Sequence, residues 1–174
     1  MEAVMADLTP KERLQPSLLD RLTDNAPKTA EESRDDRVLS PRRLKACVLR
    51  DLKWLLNTCD FASVTDLDPY PEVRHSVLNF GLPDLAGRHV SGLDVLTLER
   101  DLRQAILRFE PRITRQSLVI RAVVDESHMN HNAIRFDIEG ELWGQPMPQQ
   151  LYLKTEVDLE SGEVAVLEAT AGSD

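Results

Sequence analysis

The stretch Ala105–Ile113, AILRFEPRI, divides the chain in two. Before it, apolar residues recur at helical spacing; after it, they alternate. Pro111 pushes the residue before it out of helical conformation, so the helix ends at or near Phe109. Glu110 then sits at the negative end of the helix dipole, where an exposed carboxylate costs about 0.3–1 kcal/mol. A chain that needed only a stop would carry Gly, Lys or Asn there. Arg108, Arg112 and Arg115 surround the acid instead. Two readings follow. Glu110 forms an internal ion pair that latches the helix to the next strand, or the corner is a rigid charged feature presented to a partner. Positions that break local rules are enriched at sites. On the second reading, Glu110→Ala leaves the isolated fold nearly intact.

Upstream, TLERDLRQAILRF (97–109) places Leu98, Leu102, Ala105, Ile106 and Phe109 on one helical stripe, with Thr97 as the expected cap. SPRRLKACVLRDLKWLLNT (40–58) is the strongest helix. Ser40 suits the N-cap and Pro41 the first turn. Leu44, Cys47, Val48, Leu52, Leu55 and Leu56 form its apolar face. Between these helices, DLDPYPEVRHSVLNFGLPDLAG (66–87) is broken by prolines and glycines. It predicts a loop, a short helix near 72–79, and a turn from Gly81 to Gly87 that returns Phe80, Leu82 and Leu85 to the core. PSLLDRLTD (16–24) predicts one short helix, followed by the polar linker NAPKTAEESRDDR (25–37). That short helix either packs on its own domain or serves as a docking peptide.

Downstream, AIRFDIEGEL (133–142) alternates Ile134, Phe136 and Ile138 with Arg135, Asp137 and Glu139, a half-buried strand. SLVIRAVVD (117–125), LYLKTEVDL (151–159) and EVAVLEA (163–169) supply the others. Helices first and strands last define an α+β domain. A small antiparallel sheet of three to four strands in the C-terminal half packs against helices from the N-terminal half. The division is an arm over 1–37, the α+β domain over 38–168 and a disordered tail over 169–174.

A chain of 174 residues buries roughly 70% of its unfolded surface and needs no metal or disulfide to fold. The net charge of −9 opposes nonspecific nucleic-acid binding. Cys47 and Cys59 lie too far apart along one helical region for a mutual bridge, about 18 Å at helical rise, so reduced thiols are expected. No apolar signal-peptide core or membrane-length apolar run is present, which predicts a cytoplasmic protein without membrane insertion.

Catalytic chemistry finds little support. Glycosidases need two carboxylates about 5–10 Å apart across one bond. Thirty acids guarantee some pair, and Glu110, the best-fixed one, is set among arginines. Glu126, His128 and His131 sit loosely in a polar hairpin and do not make a metal set. No phosphate-cradling loop or nucleophile motif occurs. Trp54 and Trp143 do not interleave with a basic stripe. The expectation is a protein that is not an enzyme, with no cofactor and no metal.

The stretches SLLDRLTD (17–24), VLRDLKWLLNT (48–58), YPEVRHSVLNFGLPDLAG (70–87), RQAILRFEPRI (103–113) and TEVDLESG (155–162) resemble the TssE family of type VI secretion baseplate subunits, similar to the small wedge protein of contractile phage tails. The resemblance implies a structural role, although family members were once labelled lysozyme-like. It places the family's Glu-Pro-Arg motif on Glu110, Pro111 and Arg112, as an anchor to the wedge core. Implied partners are the wedge proteins TssF, TssG and TssK and the sheath proteins TssB and TssC, at a baseplate docked on the inner-membrane complex. It also implies a sheet that accepts strands from the first sheath ring. A short meander has edges with unpaired backbone groups, suited to strand addition. Lys154, Glu156 and Asp158 alternate along LYLKTEVDL and mark it as the expected edge, since such charges blunt indiscriminate pairing. A stress-response anti-adaptor of the same broad superfamily supplies the alternative, a regulatory binding protein.

Overall fold

A computed structural model describes residues 17–23, 40–87, 94–123, 133–143 and 148–169. Its helices are α1 (Leu18–Leu22), α2 (Pro41–Leu56), α3 (Pro71–Arg74) and α4 (Val95–Phe109), with 3-10 turns at Phe61–Ser63 and Val77–Asn79. The strands β1 (Val119–Val123), β2 (Ala133–Leu142), β3 (Gln149–Asp158) and β4 (Val164–Glu168) form one antiparallel meander in the order β1-β2-β3-β4. This is the α+β architecture expected.

The helical faces come out as the spacing predicts. Leu44, Cys47, Val48, Leu52, Leu55 and Leu56 of α2 are all buried, as are Leu98, Leu102, Ala105 and Ile106 of α4. They meet Ile134, Phe136, Ile138 and Leu142 of β2 and Leu151, Leu153 and Val157 of β3 in one core. Ser40 caps α2 by accepting the Arg43 N–H. The cap of α4 is Asp94 rather than Thr97. Its carboxylate accepts the N–H groups of Leu96 and Thr97, and the Thr97 hydroxyl donates to it. An ionised cap at this end also matches the dipole, and these bonds from Thr97 hold the Asp94 carboxyl below its ordinary pKa. The predicted helix near 72–79 is two pieces. Ser76 interrupts it by accepting the Leu78 N–H, which starts a fresh turn. Both cysteines are free thiols; Cys47 is buried and Cys59 exposed.

Strand order corrects the expected edge. β3 pairs with β2 along its whole length and with β4 from Leu153 to Val157. The final apolar run, EVAVLEA (163–169), forms a true strand, β4, and adds outside β3. Lys154, Glu156 and Asp158 therefore lie on an interior strand, not on an open edge. The outer strands are β1 and β4. The predicted Glu126, His128 and His131 loop lies outside the described residues.

Two segments singled out in the sequence clamp one end of this core. Leu82 donates its N–H to the Thr58 carbonyl at 2.8 Å, and Asp60 donates to the Leu82 carbonyl at 2.8 Å. Gly81, at φ +132°, lets the backbones come this close. The buried Asn79 side chain accepts from Ala62 N–H at 2.8 Å and donates to the Arg74 carbonyl. The β3–β4 turn then packs beside it, with Gly87 N–H donating to the Leu159 carbonyl at 2.8 Å. Asp158 shapes that turn by accepting the N–H groups of Glu160 and Ser161, which hold its carboxyl below the ordinary value.

A Cβ at Gly81 would collide with the Thr58 carbonyl in a backbone conformation that L side chains rarely adopt. Gly81→Ala is expected to destabilise the fold by roughly 1–3 kcal/mol, the cost of holding a side-chain-bearing residue in a sparsely populated backbone region. Urea denaturation of the purified variant against the wild type measures this.

Candidate functional site

The corner after α4 is built around a buried acid. Glu110 is only 3% exposed. Its N–H donates to the Ile106 carbonyl, closing the last turn, and Pro111 then forces the chain to swing. Ile113 forms a bridge to Leu142, and Trp143 N–H donates to the Arg112 carbonyl at 2.7 Å. The corner thus docks on the end of β2.

That swing folds Arg112 back on Glu110. Its Nε donates to Glu110 Oε1 at 2.6 Å, its Nη2 to Glu110 Oε2, and its own backbone N–H to Oε1 at 3.1 Å. Nη2 also donates to Asp51 Oδ2 on α2 at 2.5 Å. Such fork-to-carboxylate geometry is the strongest kind of ion pair. Burial opposes the Arg112 charge, but the bonds and charge of Glu110, then of Asp51, raise its pKa above the ordinary arginine value. Its remaining donor, Nη1, is buried without an acceptor among the described residues.

The network continues outward. Asp51 meets Arg50 at 2.7 Å, and Arg50 Nη1 donates to Asp20 Oδ1 of α1 at 2.6 Å. Arg50 also stacks over Trp54, 5.1 Å from the ring centre. Burial pushes the Asp20 carboxyl up, but the bonds from Arg50 and Ser17 outweigh it and bring it down to about 2. Burial and the neighbouring Asp20 push the Cys47 thiol up, so it stays protonated and acts as a small apolar residue.

Of the three residues proposed from sequence for the wedge-core contact, the structure brings Glu110 and Arg112 together and leaves Pro111 exposed between them. The acid faces inward, as in the internal-latch alternative, so Glu110→Ala is not silent for the isolated fold. Asp51, Arg50 and Asp20 join through tertiary contacts that no local pattern announces. Trp54 and Trp143, set aside for lack of a basic stripe, are half-exposed at 51% and 57% and adjoin the arginines. Trp and Arg are the side chains that most often carry binding energy at interfaces. Among the described residues, no cluster of metal-ligating side chains occurs and no helix is long and apolar enough to cross a membrane.

The second candidate feature is the pair of sheet edges. On β4, Val164, Val166 and Glu168 turn their backbone groups outward, since Ala169 N–H reaches Tyr152 and Asp158 N–H reaches Glu163. Asn57, at the end of α2, takes both groups of Val164 with its side-chain amide, each at 2.9 Å. Lys45 holds the Glu168 carboxylate at 2.5 Å. On β1, Ala122 points its N–H outward, and Glu99 of α4 accepts it at 2.6 Å. Each edge is thus closed at one rung by a helix side chain. Lys154 and Glu156 sit on the sheet's solvent face, where Arg135 pairs with Glu156 at 2.9 Å.

Comparison with known proteins gives a family. The model of the family described as baseplate wedge protein gp25 matches residues 42–147, which include the whole corner. The chain is also similar to the anti-adapter protein IraD of Salmonella arizonae, 34% identical over 105 residues, covering 60% of this chain and 73% of that protein. No solved structure matches the chain.

Glu110→Ala leaves the partly buried Arg112 guanidinium with Asp51 as its remaining partner among the described residues. It is expected to destabilise the chain by about 3 kcal/mol, the size seen when one member of a buried pair is removed; thermal and urea unfolding test this. The Asp20 contact has a pH signature. Its carboxyl is lowered in the folded state, so its contribution is complete above about pH 4 and fades as pH falls towards about 2. Amide hydrogen exchange in α1 is expected to accelerate over that window, and Asp20→Asn removes the dependence.

Proposed function

We propose, because this chain belongs to the baseplate wedge protein gp25 family, that it is a non-enzymatic structural subunit of a type VI secretion baseplate. The single observation that carries this reading is the Glu110–Pro111–Arg112 corner, a salt-bridged bend inside the matched segment with Pro111, Arg50, Trp54 and Trp143 around it. An interior ion pair keeps the bend stiff, and the tryptophans and arginines supply contact area. In this reading the corner anchors the subunit to the wedge proteins TssF, TssG and TssK. The protein works in the cytoplasm, at a baseplate docked on the inner-membrane complex, and uses no cofactor.

The sheet then receives a strand from the first ring of sheath proteins, TssB and TssC. The β4 edge suits this better than β1. On β4 the closing group sits at the first rung, and the outward backbone groups of Val166 and Glu168 follow in succession. On β1 the Glu99 carboxylate takes the outward N–H of Ala122, one residue from the end of a five-residue strand, and a charge at an edge discourages pairing. Main-chain hydrogen bonds supply affinity in such additions.

The similarity to the anti-adapter protein IraD favours a second reading, a regulatory binding protein. Co-purification separates the two. TssF, TssG and sheath proteins are expected with the tagged chain, whereas recovery of a response regulator in their absence would reject the baseplate role.

Val166→Pro removes an outward N–H without breaking a ladder bond to β3. With the fold checked by circular dichroism, this variant is expected to abolish sheath assembly seen by fluorescence microscopy. Normal sheaths would exclude β4 as the accepting edge.

A further inference from the structure

The short helix α1 is turned the wrong way round for a packed helix. Leu18 and Leu22 are 71% and 74% exposed, while the Asp20 side chain is 8% exposed. Its fastening is polar: Asp20 accepts from Arg50 at 2.6 Å and from the Ser17 hydroxyl at 2.5 Å. Helices usually dock through their apolar stripe. Among the described residues α1 is fastened through the Asp20 carboxylate, with Leu18 and Leu22 left exposed, so it gains little apolar burial from staying.

Arg50 is also not committed to α1. It pairs with Asp51 and stacks on the half-exposed Trp54. Through Asp51 it is one step from Arg112, whose Nη1 is buried without an acceptor among the described residues. The patch therefore holds two guanidinium groups, an unused donor and an aromatic face, and its outermost carboxylate comes from a separate segment. Asp20 lies 30 positions from Arg50 in sequence and outside the matched residues 42–147.

We propose that α1 is a displaceable strap, and that a carboxylate carried on a helix of a wedge subunit replaces Asp20 on Arg50 when the chain docks. The inference rests on the baseplate reading for the partner and goes beyond it in naming a competitor within the chain. The occupant is fixed by what already fits: a short helix presenting one carboxylate to Arg50. A cis competitor lowers the apparent affinity by the fraction of time it holds the site.

The test uses the full chain and the purified TssF–TssG complex. Affinity is measured by calorimetry for the wild type, Asp20→Asn, and Asp68→Asn as a control for lost negative charge at a distant surface pair with Arg74. Amide exchange of Leu19 to Thr23 is followed with and without the complex. Asp20→Asn is expected to tighten binding by about threefold to tenfold, Asp68→Asn to leave it unchanged, and the complex to speed α1 exchange in the wild type. Binding that is unchanged or weaker in Asp20→Asn, or α1 amides that become slower in the complex, would overturn the strap and leave the baseplate reading standing. No binding by any of the three proteins removes both.

Discussion

Everything at the centre of this molecule depends on placing one carboxylate almost out of reach of water. An unpaired carboxylate at the burial of Glu110 costs several kcal/mol. The chain resolves this within two residues. Pro111 fixes the bend, and the bend returns the Arg112 guanidinium onto both carboxylate oxygens. Because Arg112 also reaches Asp51, the same charge holds α2 against the end of α4. The Arg112 carbonyl then takes Trp143 N–H, which fixes β2 to the corner. One pairing joins both long helices and the sheet.

Stability alone does not explain why this joint is ionic. Apolar groups of similar volume often replace a buried ion pair without loss, whereas deleting one partner is costly. What ion pairs provide is a defined geometry, with directions that apolar contacts lack. A defined geometry has value where another molecule must meet the corner. This is the physical link between the interior latch and the exterior surface. The two readings of Glu110 left open by the sequence are thus compatible, with the acid inside and the shape it enforces outside.

Legibility followed the range of the interaction. The buried faces of α2 and α4 were readable because helical spacing is local, and Ser40 with Pro41 marks a start that needs no tertiary partner. The apolar stripe from Leu98 places the helix start at Thr97 and passes over Asp94, three residues earlier, whose spacing to Thr97 was the available signal. Glu110 drew notice by breaking a local rule. Asp51 and Asp20 did not, because the first reaches Arg112 across 61 positions and the second reaches Arg50 across 30. The edge was misassigned to β3 because alternation of charge marks a solvent face, and interior and edge strands of a one-sided sheet share that pattern.

The correction at β3 narrows how the sheet can meet a partner. Its solvent face is already balanced by cross-strand pairs. Arg135 meets Glu156 at 2.9 Å, Arg121 meets Glu139 at 3.6 Å, and Gln150 donates to Glu141 at 2.7 Å. A partner lying flat on that face would desolvate these charges and gain little, because paired charges give back less than they cost to bury. Among the described strand residues, its exposed large apolar side chains, Val119, Val123 and Leu167, sit on the two outer strands. Both the backbone groups and the apolar area therefore lie at the margins of the sheet. Asn57 and Glu99 guard those same margins from the helices. Guards of this kind set which strand is admitted: a newcomer must match the rungs left open, which raises the cost of wrong partners more than that of the right one.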